Sequence, residues 1–144
     1  MKHHVRILLS LAAGLALTLS AGCSGSSILE NSSTVWSLSG LEPLYLSEWP
    51  ENEFTAQIPE PDDGQIDYAF DASDSGRYAV FWKEIGMEES ADYVERLKDQ
   101  GYSEVRAEKN EVSVGTILQK GAVTLSISYS SDSLSILIAI DSAP

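Results

Sequence analysis

The sequence predicts an α+β domain: a single antiparallel sheet in the order ββαββββ, with one helix packed on one face, preceded by a signal peptide and a flexible tether. Three observations carry this. From Val123 to Ile140 the chain alternates about a turn at Ser130-Ser131-Asp132, with Val123, Leu125, Ile127 and Tyr129 and then Leu134, Ile136, Ile138 and Ile140 separated by Thr, Ser and Ala and, at one place, by Leu137 on the opposite face. This is the period-2 signature of strands with one face buried and one wet. Residues 87–100 form the one segment after the leader with a helical apolar stripe. Residues 1–22 have the charged start, apolar run and small-residue end of an export signal.

The elements follow in chain order. Lys2, His3, His4 and Arg6 precede the apolar run Ile7 to Leu19, which is too short to span a hydrocarbon core comfortably. Ser20-Ala21-Gly22 then leads to Cys23, the only cysteine. Residues 23–48 read as a tether, because Ser24 to Ser39 is rich in Ser, Gly and Asn. A coil of that length spans about 20–24 Å. Trp36, Leu38, Leu41, Leu44, Tyr45 and Leu46 show no periodicity. The domain proper is expected over residues 49–144. It opens with an irregular loop from Trp49-Pro50 to Ile58-Pro59-Glu60-Pro61-Asp62-Asp63-Gly64, kept extended by its prolines.

Residues 65–72 and 77–85 are rich in aromatic and β-branched side chains, and Ser73-Asp74-Ser75-Gly76 separates them, so they predict a hairpin. Tyr78, Val80 and Trp82 are expected on one face, Ala79 and Phe81 on the other. In the helix, Glu88, Glu89 and Asp92 suit the positive end of the dipole. Tyr93, Val94 and Leu97 form the stripe, and Gly101 is placed to stop it in the left-handed region. Short strands over 104–107 and 112–118 complete the set.

Composition excludes several function classes. The chain carries 9 basic and 22 acidic residues. Cleavage before Cys23 leaves 7 basic residues against all 22 acids, a formal charge of −15. Nucleic acid is therefore not an expected partner, since phosphate binding needs clustered Lys and Arg. Anionic headgroups repel such a surface as well. Both histidines lie in the leader, so the exported part lacks the commonest general base and metal ligand. No cofactor is expected, and the domain is expected to be non-catalytic.

Leu19-Ser20-Ala21-Gly22-Cys23 resembles the lipobox of bacterial lipoproteins, with Ser20 where the family prefers leucine. The resemblance implies cleavage between Gly22 and Cys23, a diacylglycerol on the Cys23 thiol, and an acylated new amino terminus. Two or three acyl chains, at about 0.8 kcal/mol per buried CH₂, hold a protein stably where one is marginal. The expected location is the outer face of the cell membrane. Trp49-Pro50, Ile58-Pro59-Glu60-Pro61, Tyr93…Leu97…Gly101-Tyr102 and the Leu125-Ser126-Ile127-Ser128-Tyr129 strand are similar to a domain of small lipoproteins from Gram-positive gut bacteria. That likeness implies fold and anchoring, and no chemistry.

Three functions are open. The first is a binding domain for another envelope or extracellular protein, or for a ligand, with Trp49, Glu60, Asp62 and Asp63 as the contact surface. The second is a calcium-responsive envelope protein using Asp62, Asp63, Asp71 and Asp74 as oxygen donors. Asp71 to Gly76 starts like an EF-hand loop, yet the place of the bidentate glutamate falls on Trp82. The third is a small hydrolase built on paired carboxylates about 5–10 Å apart; with so many acids some pair always fits, so abundance argues nothing. The aromatics Trp36, Trp49, Trp82, Tyr45, Tyr78, Tyr93 and Tyr129 can be read as a contact face. The core reading of Trp82, Tyr93 and Tyr129, with Trp49 anchoring the loop, is preferred.

Overall fold

Alternation along the second half of the chain generates one antiparallel sheet of seven strands in the computed structural model, which describes residues 38–142. These belong to a compact unit, Ser37–Pro144. The strands are β1 (Leu44–Tyr45), β2 (Gln65–Ala72), β3 (Arg77–Lys83), β4 (Ser103–Lys109), β5 (Ser113–Lys120), β6 (Val123–Ser130) and β7 (Ser133–Ile140). The one α-helix among the described residues, α1 (Met87–Asp99), lies between β3 and β4. The spatial order is β1-β2-β3-β7-β6-β5-β4. The chain thus leaves the hairpin at β3, crosses by way of α1 to the far edge, and returns strand by strand until β7 pairs with β3.

The single sheet, the helix, the hairpin and the four-strand meander agree with the sequence. One strand is added: Leu44 and Tyr45 pair with Ala69 and Tyr68. The sheet therefore begins N-terminal of residue 49, inside the segment expected to be tether, and Leu46 packs against the core. β4 and β5 each run beyond the expected limits, and Val112 falls outside β5 and is exposed.

The core lies between the sheet and α1. Ser90, Tyr93, Val94 and Leu97 are the buried helix residues. They face Tyr78, Val80 and Trp82 from β3, Leu134, Ile136 and Ile138 from β7, Val123, Leu125, Ile127 and Tyr129 from β6, and Leu118 from β5. The helix ends as its sequence dictates. Gly101 sits at φ 99°, its N–H donates to Lys98 and that of Tyr102 to Leu97, which is a Schellman closure. Lys120 adds a cation at that end, donating to the Gln100 carbonyl at 2.8 Å.

The other face of the sheet, here the back face, has no described element packed on it. A bulge at Asp67 shifts the register of β2, so Ile66 and Ala69 point to the core while Tyr68 and Phe70 point back. There they meet Phe81, with Tyr68 and Phe81 stacked at 4.6 Å and Phe70 edge-on to both. Toward β6 and β5 the same face carries Ser135, Ser128, Ser126 and Gly115, together with Leu137, Thr124 and Ile117.

Candidate functional site

The Pro-rich loop is irregular because its prolines withhold donors, and it is held in place because its carbonyls find donors elsewhere. Asn52 folds the first part: its side-chain oxygen accepts from the N–H of Phe54 and Thr55 at 3.0 and 2.9 Å, and the Thr55 hydroxyl donates to the Pro50 carbonyl. This sets a short 3-10 turn, Thr55–Gln57, and drives Phe54 into the core, stacked 5.9 Å from Tyr78. Ile58 is buried beside it.

Four side chains then hold the rest. The Tyr102 hydroxyl donates to the Gln57 carbonyl at 3.0 Å, and the Tyr93 hydroxyl to Pro59 at 2.8 Å. Arg96 donates to the Glu60 carbonyl at 2.8 Å and also pairs with the Asp62 carboxylate. The Trp82 indole N–H donates to Asp63 at 3.0 Å. Each removes a backbone acceptor that would otherwise have to keep water. Gly64 ends the loop at φ 76°, so close that a Cβ there would lie 2.7 Å from the Lys83 carbonyl oxygen.

The result is a fixed ridge, Glu60 to Asp63, with Pro61 buried and the three acids exposed. A groove lies on each side. One, about 190 Å³, is lined by Asp62, Asp63, Glu89, Asp92, Tyr93 and Arg96 among others. The second, about 430 Å³, includes Ser47, Glu60, Gln65, Trp82 and Lys83. Four carboxylates and one guanidinium line the first, and the guanidinium pairs with Asp62. Burial pushes the Tyr93 phenol well above its usual range, against the opposing pull of Arg96, so it stays a neutral donor. The chemistry on offer is that of acceptors for a cationic or donor-rich segment.

The structure brings Trp49, Glu60, Asp62 and Asp63 into one region, with Trp49 packed edge-on to Trp82 at 5.4 Å. It separates the four aspartates weighed for calcium. Asp62 and Asp63 precede the start of β2, while Asp71 and Asp74 lie at its other end, around the hairpin turn. Asp71 accepts from the Ser73 N–H at 2.9 Å, and bonds from Ser73 hold its carboxyl below the usual value. Among the described residues no three Asp, Glu, His or Cys side chains come together as a metal site. Of the aromatics, Trp82, Tyr78, Tyr93 and Tyr129 are core, and Tyr45 is exposed on the first strand. Cys23, Gly22 and Trp36 lie outside the described residues.

Sequence reasoning missed Arg96 and Tyr102 as the clamps of the loop. Their placement was available only in part: Tyr93 and Arg96 stand three apart on one helix, hence on one face, yet nothing local shows which carbonyls they reach. Neither a family model nor a curated protein nor a solved structure matches the chain.

Proposed function

We propose that this protein is a lipid-anchored, non-catalytic binding domain of the bacterial cell envelope. In this reading residues 1–22 direct export, Cys23 carries the lipid, and the domain stands on the outer face of the membrane. The fixed acidic ridge Glu60–Asp63 and its flanking grooves receive a cationic segment of another envelope or extracellular protein. The observation that carries the contact is the clamping of the ridge. The Glu60 and Asp63 carbonyls are held by Arg96 and Trp82, and those of Gln57 and Pro59 leading into the ridge by Tyr102 and Tyr93, so its exposed carboxylates are ordered before any partner arrives, which lowers the entropy lost on binding. Anchor and tether rest on the lipobox-like Leu19–Cys23 and the Ser-rich segment after it.

The test is cross-linking in membranes of cells expressing the full chain, beside Cys23→Ala and the double variant Glu60→Lys, Asp63→Lys. The reading expects one basic partner, lost with the charge-reversed ridge, and release of Cys23→Ala from the membrane fraction. A partner retained by the reversed ridge removes the contact assignment. A Cys23→Ala chain that stays with the membrane removes the anchor. A calcium role has less support, given the separation of the aspartate pairs. Tryptophan fluorescence is expected to stay constant up to millimolar calcium, and a saturable change would restore that role.

A further inference from the structure

The back face of the sheet carries a glycine with no intramolecular reason to be there. Gly115 lies in the interior of β5, paired in regular register with Ser128 and Glu108. It is not at a bulge or a turn, its φ is not left-handed, and a Cβ added to it would meet nothing within 4 Å. Glycine weakens a strand, and its use there marks the close approach of something else. On the same face lie Ser126, Ser128 and Ser135, again small, with the half-buried Ile117 and Leu137 one level further along the strands. Across the sheet, on β2 and β3, the same face rises into Tyr68, Phe70 and Phe81.

We propose that this face is the interface of a homodimer, in which the aromatic half of one copy covers the glycine- and serine-lined half of the other. The strand order makes the face self-complementary. β7 is the central strand of the seven. A two-fold axis running parallel to the strands above it exchanges the two halves. It lays β2 over β5 of a second copy and β3 over β6. In that register Tyr68 meets the hollow at Gly115 and Phe81 meets Ser128, while Phe70 comes over Ile117 and Ala79 over Ser126. Large against small across facing positions is how two sheets interdigitate at about 10 Å.

Size and charge agree. Six strands of seven or eight residues and the two-residue β1, about 4.8 Å apart, present roughly 700 Å² in projection. A stable interface takes about 800 Å² of accessible surface per partner. The chain as a whole has a formal charge of −13, which would oppose association of two copies. The back face is spared: Lys83 is paired with Asp67, Arg106 with Glu108, and Arg77 is the remaining charge of the strands on that side. Two copies can therefore approach there without bringing their acids together.

The experiment is light scattering on the full chain purified in mild detergent, at rising concentration, beside Gly115→Glu and Ser128→Glu. Both sites are open in the monomer, and circular dichroism with thermal melting confirms that each variant is folded. Should Gly115→Glu fail to fold, the exposed Ser128 site carries the test. A dimer that becomes monomeric in the folded variants is the expected result. A native chain that stays monomeric at every concentration overturns the proposal, whether the face is then bare, covered by residues 1–37 or used by another protein. A dimer that survives both variants overturns it too, because association then uses another surface.

Discussion

On the helix side of β6, Val123, Leu125, Ile127 and Tyr129 are buried, while on the other side of the same strand Ser128 is exposed and Thr124, Ser126 and Ser130 are half-buried. On β3, at the opposite half of the sheet, both sides are apolar: Tyr78, Val80 and Trp82 point to the core, Ala79 and Phe81 away from it. The two regions share one sheet and one helix, yet only the first announces its inside and outside by composition. The lesson is that β6 owes its alternation to a core of its own chain on one side only. The β2–β3 ribbon keeps apolar groups on both sides because its outer rings shelter one another.

That difference can be sharpened first on neighbouring residues of β3. Trp82→Ala removes a buried indole and its bond to the Asp63 carbonyl, and is expected to cost about 3–5 kcal/mol in urea unfolding. Phe81→Ala, next to it but on the back face, should cost no more than about 1–2 kcal/mol, in keeping with partial burial. Equal losses would mean that the back face is as enclosed as the core.

A pair of glycines gives the next comparison. Gly64→Ala meets a left-handed backbone and the Lys83 carbonyl oxygen, and is expected to destabilise by at least about 1–2 kcal/mol. Gly115→Ala meets open space, and should leave the fold unchanged or stabilise it by about 0.4–1 kcal/mol. Thermal melting of the two proteins side by side, at a dilution where the chain is monomeric, checks both signs.

At the entry to the ridge, Tyr93→Phe removes the bond to the Pro59 carbonyl and is expected to cost about 1 kcal/mol at neutral pH. The phenol is also a pH probe. Burial raises its pKa above the usual 10.0, so the unfolded chain ionises first. Stability is then fully present below about pH 10 and falls as the pH rises beyond that toward the folded pKa. Urea midpoints between pH 8 and pH 11, roughly bracketing free tyrosine, should fall less steeply in the Phe variant. The smallest effect is expected at Ser90, whose hydroxyl is fully buried and has no hydrogen-bond partner. Ser90→Ala should be neutral or stabilising by up to about 1 kcal/mol, since it removes an unsatisfied group.

How far the fold was legible follows from the same contrast. The hairpin, α1 with its Gly101 stop, and the strands from β5 to β7 were readable, because each has a local signal: a Ser-Asp-Ser-Gly turn, a stripe with a glycine stop, or alternation. β1 was not, being two exposed residues with no alternating pattern. The aromatic cluster on the back face was hidden by the bulge at Asp67, which puts Tyr68 and Phe70 on the same side as Phe81. Phe54 and Ile58 enter the core from a loop, where no period exists to betray them. The acids of the ridge were legible by charge. Their fixing by Arg96, and that of the segment before them by Tyr93 and Tyr102, is a long-range matter, Tyr93 standing 34 positions after Pro59 and Tyr102 45 after Gln57.

The most direct test of a sheet with one folding face and one free face is a pair of leucine truncations. Leu125 is fully buried under α1, and Leu137 is half-buried on the back face of the adjacent strand. In urea unfolding of dilute protein, Leu125→Ala is expected to lose about 2–5 kcal/mol, and Leu137→Ala about 1 kcal/mol or less. Comparable losses at the two sites would contradict the division of the sheet into a core face and an open one.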